Sequence, residues 1–590
     1  MSRTSTARIG VAVAGLLLLM VAGAARAQAP GKLTVHARTA APGAGFAWGS
    51  GTLEFEGKTY PVRVDGVVIG AVGVNEIDAS GEVTGLTKAE DLNGDFTAMS
   101  GGLTVGPKGQ GVLVMRNNKG VRVELQGSST GLQIGAGLRG ITLSVGEAGG
   151  PPAEAGALLP QTLGFGEFNL GPLYLRPTLN AQVFLQGAHN PGFNGDWSFG
   201  PVDQSEGYFE HSNEEGLNAR LPLGAEGEYG TLEGRASGVF SMTTSAPDMP
   251  VCVTKGSVSD YTLESLYLGY KSGDLFPKLG SNAIELIGGN HNYQVFDGLL
   301  FWDGGQDCAG RGANWLSPRK AFQGVGIARL NLKDLTLETV HLKYNDHPNT
   351  HTNLWAERIE FTKDDWLLKH LKLGFMYFHI YRSDNPARDG MNGYYAYSES
   401  NPFDFLPDFS FRATYVRETN SESSGLSAAY AWYVAPAYQL SNAPWTPTLS
   451  YRYAFFSGGG TNAFDSLFTG LPDWGYWFQG EVLGEAVLSN SNLISHQFRV
   501  KAAPNDWLTF NLIYYRFLLQ NANQGFSVTP RTVSSRALAD EVDLTTDITM
   551  TNWWSISLVA TMANPNKGFT QAVNGSATWF TGYVYMSFNF

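Results

Sequence analysis

The sequence predicts an all-β fold: a transmembrane antiparallel β-barrel of about 16 to 18 strands preceded by a small N-terminal β-rich domain. Three observations point to it. Among 590 residues there are 72 Gly and 12% aromatic side chains but only 16% charged ones, whereas soluble domains carry about 25%. The longest apolar run is an export signal at the start of the chain. From about Phe165 onward, segments of roughly ten residues alternate apolar and polar positions, as strands with one face on lipid do. A hydrophobic content of 43% excludes a disordered chain. Two cysteines and no Gly-X-Y period exclude a disulfide framework and a collagen.

The first element is the export signal, residues 1–27. Arg3 and Arg8 form its basic start, Val11 to Val21 its apolar centre, and Ala25-Arg26-Ala27 its cleavage site. The apolar run falls short of the ~20 residues that span a bilayer. No other stretch comes closer, so a membrane-embedded chain must cross with strands, and an exported barrel belongs in the outer membrane. Losing Arg3, Arg8 and Arg26 from 40 basic residues against 53 acidic ones leaves a mature charge of -16. No basic patch dominates, which argues against nucleic acid as a partner.

Residues 31–150 read as a separate β-rich domain of roughly eight short strands. Runs such as Thr52-Leu53-Glu54-Phe55-Glu56 and Val121-Arg122-Val123-Glu124-Leu125 alternate. Turn residues divide them at Glu56-Gly57-Lys58, Leu92-Asn93-Gly94-Asp95 and Asn117-Asn118-Lys119-Gly120. Gly51-Thr52-Leu53, Gly57-Lys58-Thr59-Tyr60-Pro61 and Ser128-Ser129-Thr130-Gly131-Leu132 resemble SYLF-type lipid-binding periplasmic domains. The other reading is a periplasmic structural or interaction domain, acting as a plug or as a partner-binding module. Residues 151–164, opening with Pro151-Pro152-Ala153 after Gly149-Gly150, have linker chemistry.

Residues 165–590 form the barrel. Tight turns are expected at 225–230, Lys333-Asp334 and Pro504-Asn505-Asp506, and long loops at His291–Lys320, Ser383–Asp408 and Ser457–Asn490. Parity assigns faces. Leu449, Tyr451, Tyr453 and Phe455 oppose Ser450, Arg452 and Ala454. Phe411, Ala413 and Tyr415 oppose Arg412 and Thr414, and Phe498 and Val500 oppose Gln497, Arg499 and Lys501. Val340, Leu342 and Tyr344 oppose Thr339, His341 and Lys343. Leu508 to Leu519 is apolar on both faces. The chain stops at Phe590, with Phe588, Met586 and Val584 on the same face, like the terminal assembly signal of bacterial outer-membrane proteins. A barrel of this size leaves an aqueous channel.

Several blocks together resemble the alginate-export family of outer-membrane porins over roughly residues 170–590. They are Tyr451 to Gly458, Phe464 to Phe468, Trp474 to Glu481, Ser489 to Leu493, Leu512 to Phe517, Asp303-Gly304 to Arg311-Gly312, and Trp315 to Phe322. The resemblance implies passage of polyuronate through a lumen lined with basic side chains. Arg holds carboxylates by a planar fork, and rings of Arg and Lys select anions. Parity places Arg220, Arg235, Lys343, Arg412, Arg452, Arg499 and Lys501 inward, with Arg358 a further candidate. They either select anions or balance acidic neighbours, as Arg235 would with Glu233 and Arg358 with Glu360.

Trp474, Tyr476, Trp477 and Phe478 either stack on sugar rings at the entrance, anchor at the membrane interface, or pack within their own loop. Cys252 and Cys308 fall in long-loop segments on the oxidising side of the cell and are expected to pair. His347 and His351 suit a solvated loop better than a metal site, and no metal or other cofactor is expected. No G-x-S-x-G elbow, HExxH or phosphate loop occurs. The sequence thus reads as a non-enzymatic outer-membrane channel for anionic polysaccharide or other anionic solutes. The alternatives are a general nutrient-uptake porin, or an outer-membrane enzyme or adhesin.

Overall fold

The computed structural model describes residues 30–148 and 168–590, apart from 104–108, 118, 131–136, 198–202, 225–226, 245–256, 306–309, 348, 366–367, 421–427, 471, 478, 523–530 and 532. The chain divides into two compact units, Met1–Pro160 and Gln161–Phe590.

The first unit is one six-stranded antiparallel sheet, ordered β1-β2-β5-β4-β3-β6, with β6 also pairing β2. Its strands are β1 (Gly31–Phe55), β2 (Lys58–Thr84), β3 (Gly94–Leu103), β4 (Gly109–Asn117), β5 (Arg122–Thr130) and β6 (Gly137–Val145). Among the described residues the expected eight short strands are six, with β1 and β2 running on for 25 and 27 residues. The turn residues hold: Gly57 and Gly120 adopt φ of 76° and 87°, conformations that favour glycine. Leu33, Leu53, Val62, Val83, Leu92, Phe96, Val123 and Leu143 form its core.

The second unit is a closed antiparallel barrel. Its first nine strands are β8 (Leu173–His189), β9 (Ser205–Pro222), β10 (Thr231–Thr244), β11 (Val258–Lys271), β12 (Ile284–His291), β13 (Phe322–Asn331), β14 (Leu335–Lys343), β15 (Asn353–Asp365) and β16 (Lys369–Arg382). The other nine are β17 (Asn392–Asn401), β18 (Phe409–Thr419), β19 (Ala429–Gln439), β20 (Thr448–Phe456), β21 (Leu493–Asn505), β22 (Leu508–Leu519), β23 (Ala537–Thr549), β24 (Trp554–Pro565) and β25 (Trp579–Asn589). A three-residue strand, β7 (Phe168–Leu170), precedes them against β8.

β25 closes on β8 with Phe588 opposite Ala181 and Phe580 opposite His189. Phe590 exchanges two backbone hydrogen bonds with Leu179, at 2.8 and 3.1 Å, so the aromatic carboxyl terminus is part of the seam. The segment Ser383–Asp408 departs from its expectation as one long loop, since β17 lies inside it. Its tyrosines alternate, with Tyr395 and Tyr397 turned inward and Tyr394 exposed.

Leu449, Phe498, Leu512, Leu544, Leu558 and Phe580 are exposed on the outer face, where lipid covers them. The opposite faces carry Glu210, Ser241, Glu264, Thr414, Arg452, Gln497, Arg499 and Glu541, all buried. Among the described residues no helix is long and apolar enough to cross a membrane.

Candidate lumen site

Two of the long connections fold inward. Residues 292–321, between β12 and β13, and 457–492, between β20 and β21, touch inward faces of the wall from β9 to β25. Their buried backbone N–H groups need partners, and carboxylates on the wall supply them. Glu210 accepts from Asn314 (2.6 Å), Trp315 (3.1 Å) and Leu316 (2.9 Å). Glu264 accepts from Lys320 (2.7 Å) and Ala321 (2.8 Å). Glu541 accepts from Val482 (2.8 Å) and Leu483 (2.9 Å), and Glu418 from Asp465 (3.0 Å).

The loops also join each other. Phe301 and Phe468 form a parallel bridge, and Trp477 Nε1 donates to the Asp297 carbonyl at 2.8 Å. The Asp297 carboxylate in turn accepts the Tyr433 hydroxyl at 2.5 Å and that of Tyr395. Trp474, Tyr476 and Trp477 therefore point into the barrel, away from the membrane interface, and Trp477 is buried against Tyr433 and Phe456. Phe478 lies outside the described residues.

Beside the 457–492 loop is a cavity of about 250 Å³ whose lining includes Arg412, Arg452, Arg499, Lys501, Asp473 and Tyr476. Strands β18, β20 and β21 supply the four basic groups from alternate, inward positions. Arg412 donates to Glu399 at 2.9 Å and to the Tyr476 hydroxyl. Arg499 bonds Asp473 (2.9 Å), Asn511 (2.7 Å) and the Trp474 carbonyl (3.0 Å), and Lys501 reaches Asp473 at 3.4 Å.

Arg452 is different. Its guanidinium donates to the carbonyls of Gly475 (2.7 Å) and Tyr476 (3.2 Å), stacks 4.5 Å from the Trp477 ring, and leaves Nε without a partner. Burial pushes the Asp473 carboxyl up, but Arg499 and Lys501 outweigh it and hold it below the usual range. Four cations thus face one cavity with Asp473 as the carboxylate in its lining.

The remaining expected residues scatter. Arg220 lies on the inward face of β9, 4.5 Å over the Tyr174 ring. Arg235 pairs across strands with Glu214 (2.6 Å) and bonds Asn218 (2.9 Å), while Glu233 goes to Lys271 (2.7 Å), so Glu233 is not its counter-ion. Arg358 does bond Glu360 (2.8 Å), and also Glu338 (2.9 Å). Arg329, which alternation did not single out, shares Glu338 (2.5 Å) and reaches Glu285 (2.5 Å).

Lys343 requires a correction: it sits with Leu337, Thr339 and His341 on the outer face of β14, while Glu338, Val340 and Leu342 are buried toward the lumen. The polar-in rule fails there because Phe301 and Phe468 of the inserted loops fill the lumen with an apolar core against Val340, Leu342, Tyr344 and Phe378. The same core explains Arg329, hidden in sequence by Val325 and Ile327 on its own face. It also explains β22, whose Ile513, Tyr515, Phe517 and Leu519 belong to it.

Sequence reading also missed the bidentate Arg388–Asp465 pair (2.7 and 2.8 Å), which fixes the inserted loop from a neighbouring one. Nothing short-range in the sequence joins those positions. His351 Nδ1 meets Asp384 at 2.6 Å, and among the described residues no His, Cys or carboxylate cluster could hold a metal. Cys252 and Cys308 lie outside the described residues.

Every cationic residue of the 250 Å³ cavity falls within one stretch of chain that a known family covers. Residues 390–575 match the alginate export family. The matched segment runs from β17 to the connection before β25. No curated protein matches the chain in sequence.

Among solved structures, Pseudomonas aeruginosa OccK5 (OpdH) is similar at 12% identity, with 70% of this chain and 97% of that one covered and a TM-score of 0.46. Pseudomonas aeruginosa OccK8 (OprE) is similar at 11%, covering 70% and 98%, with a TM-score of 0.44. The high-pH structure of Pseudomonas putida OprB gives 10%, 70% and 94%, with a TM-score of 0.37.

Proposed function

We propose that this outer-membrane channel passes anionic solutes by diffusion, with polyuronate-type polysaccharide as its substrate class. One observation carries the reading: Arg412, Arg452, Arg499 and Lys501 converge on a single lumen cavity against the one carboxylate of Asp473. In a water-filled pore with low-dielectric walls, such an excess of cations raises the local concentration of anions. Arg guanidinium groups also match the planar geometry of uronate carboxylates. The match of residues 390–575 to the alginate export family supports the same substrate class. Transport of this kind uses no cofactor and no covalent step.

A second reading is a general uptake porin for small nutrients. The inward loops favour it, because they narrow the lumen and bring carboxylates such as Glu481 with them. Reversal potentials under a salt gradient in planar bilayers test the first reading. Anion preference that oligouronates block supports it, and clear cation preference overturns it. Liposome swelling with charged and neutral saccharides separates the two substrate classes. For the N-terminal sheet we propose a periplasmic partner-binding or plugging role; after its deletion, a large rise in conductance marks a plug.

A further inference from the structure

The outward face of β12 to β16 carries a groove of about 560 Å³ that the pore does not use. Its lining includes Leu286, Leu337, Ile359 and Phe375, all exposed, together with Thr339 and Glu357. A carboxylate on a lipid-facing wall is costly unless something bonds it. Glu357 accepts the Thr339 hydroxyl at 2.7 Å, and among the described residues no cation meets it. Lys343, which the lumen leaves without a role, lies on the same face.

Alternation and register order the chemistry of this face by depth. From the tight turn at 332–334 toward the rim of long connections, the outward residues of β14 are Leu337, Thr339, His341 and Lys343. β15 sets Ile359, Glu357, Trp355 and Asn353 beside them in the same order. The rows therefore run from apolar, through an acceptor and then an aromatic with an imidazole, to a cation. His341 is tied to the Tyr381 hydroxyl at 2.6 Å. On the rim, Asn353 stands between Lys343 and Arg382 in register, and neither cation pairs with a carboxylate among the described residues. A ligand that fits has acyl chains deepest, hydrogen-bond donors above them and an anion outermost. Ester-linked phospholipids lack those donors, whereas amide-linked acyl chains supply N–H groups at that depth. We propose that this face binds an acylated sugar phosphate of the outer leaflet, lipid A in its chemistry. Its acyl chains lie in the groove, its amide N–H groups donate to Glu357, and its phosphate takes Lys343 and Arg382. The proposal rests on the outer-membrane reading of the barrel and not on the pore's preference for anions.

The test adds lipid A or phosphatidylglycerol to the purified full chain in detergent micelles and reads retained lipid by native mass spectrometry. Phosphatidylglycerol is also anionic, but its hydroxyls lie outside its phosphate and cannot reach Glu357. Lipid A should be retained at about tenfold lower concentration than phosphatidylglycerol. Lys343→Ala combined with Arg382→Ala should raise the lipid A concentration needed by about tenfold. Glu357→Leu should remove the preference for lipid A and leave phosphatidylglycerol retention unchanged. None of the three side chains is buried, and heat-modifiable gel mobility reports that each variant folds; should the paired variant not fold, Glu357→Leu carries the test. Equal retention of the two lipids, or a preference untouched by the folded variants, overturns the proposal. So does a mass of two chains with neither lipid, which gives this face to a second copy. Planar-bilayer currents read the channel separately, so a chain that conducts anions and ignores lipid A fails only here.

Discussion

Two quadrants of one barrel use their inward faces in opposite ways. Along β18, β20 and β21 the inward positions carry Arg412, Arg452, Arg499 and Lys501 toward an open cavity. Along β13 to β16 they carry Val325, Ile327, Val340, Leu342, Leu354, Ala356, Phe378 and Ile380 toward Phe301 and Phe468. There the charges that remain, Arg329 and Arg358 with Glu285, Glu338 and Glu360, satisfy one another in a closed network. The difference comes from where the inserted loops rest. A wall that faces an open cavity keeps its charges presented to it, whereas a wall that faces a folded loop behaves as a protein core.

The largest test removes the loop. Replacing residues 467–477 by a short Gly-Ser connection should raise single-channel conductance severalfold, because Trp474, Tyr476 and Trp477 leave the lumen; unchanged conductance would erase the contrast between the quadrants. Next comes the charge itself. Converting Arg412, Arg452 and Arg499 together to Gln should move the reversal potential toward cation preference. Converting Arg329 and Arg358 to Gln should move it far less, since Arg358 packs over Phe296 of an inserted loop and neither residue lines the basic cavity.

Glu338→Gln probes the closed network from its centre. It leaves two guanidinium groups short of a buried partner, at a cost of about 3 kcal/mol, measurable by denaturant unfolding in detergent. Asp473→Asn should strengthen anion preference modestly. The Asp473 carboxyl is held below its ordinary value, so its stabilising pairs are intact above about pH 4, the unfolded Asp range, and are lost only as the pH falls through the lower folded value. The contribution of Asp473 to anion preference should accordingly stay constant down to about pH 4 and fall away below it. The smallest effect belongs to Lys343→Ala, which should leave selectivity unchanged because Lys343 lies on the outer face.

The strand alternation of the barrel and its closing strand at Phe590 can be read directly because each depends on neighbours within a few residues. Arg412, Arg452, Arg499 and Lys501 were legible for the same reason, since their own strands keep the polar face inward. Lys343 and Arg329 were not. Their strands present apolar side chains to the lumen, and the reason, Phe301 and Phe468, lies at least 20 residues away from either in one case and over 100 in the other.

By itself, the sequence determines which residues share a face, where the chain turns and that the strands must close upon themselves, because period-two geometry and an unpaired edge in lipid leave no alternative. Only the tertiary structure decides which of those faces meets water. That choice depends on wall carboxylates such as Glu210, Glu264 and Glu541 capturing the backbone of loops remote in sequence. Burial of those loops turns part of the lumen into core and leaves the rest as the basic cavity.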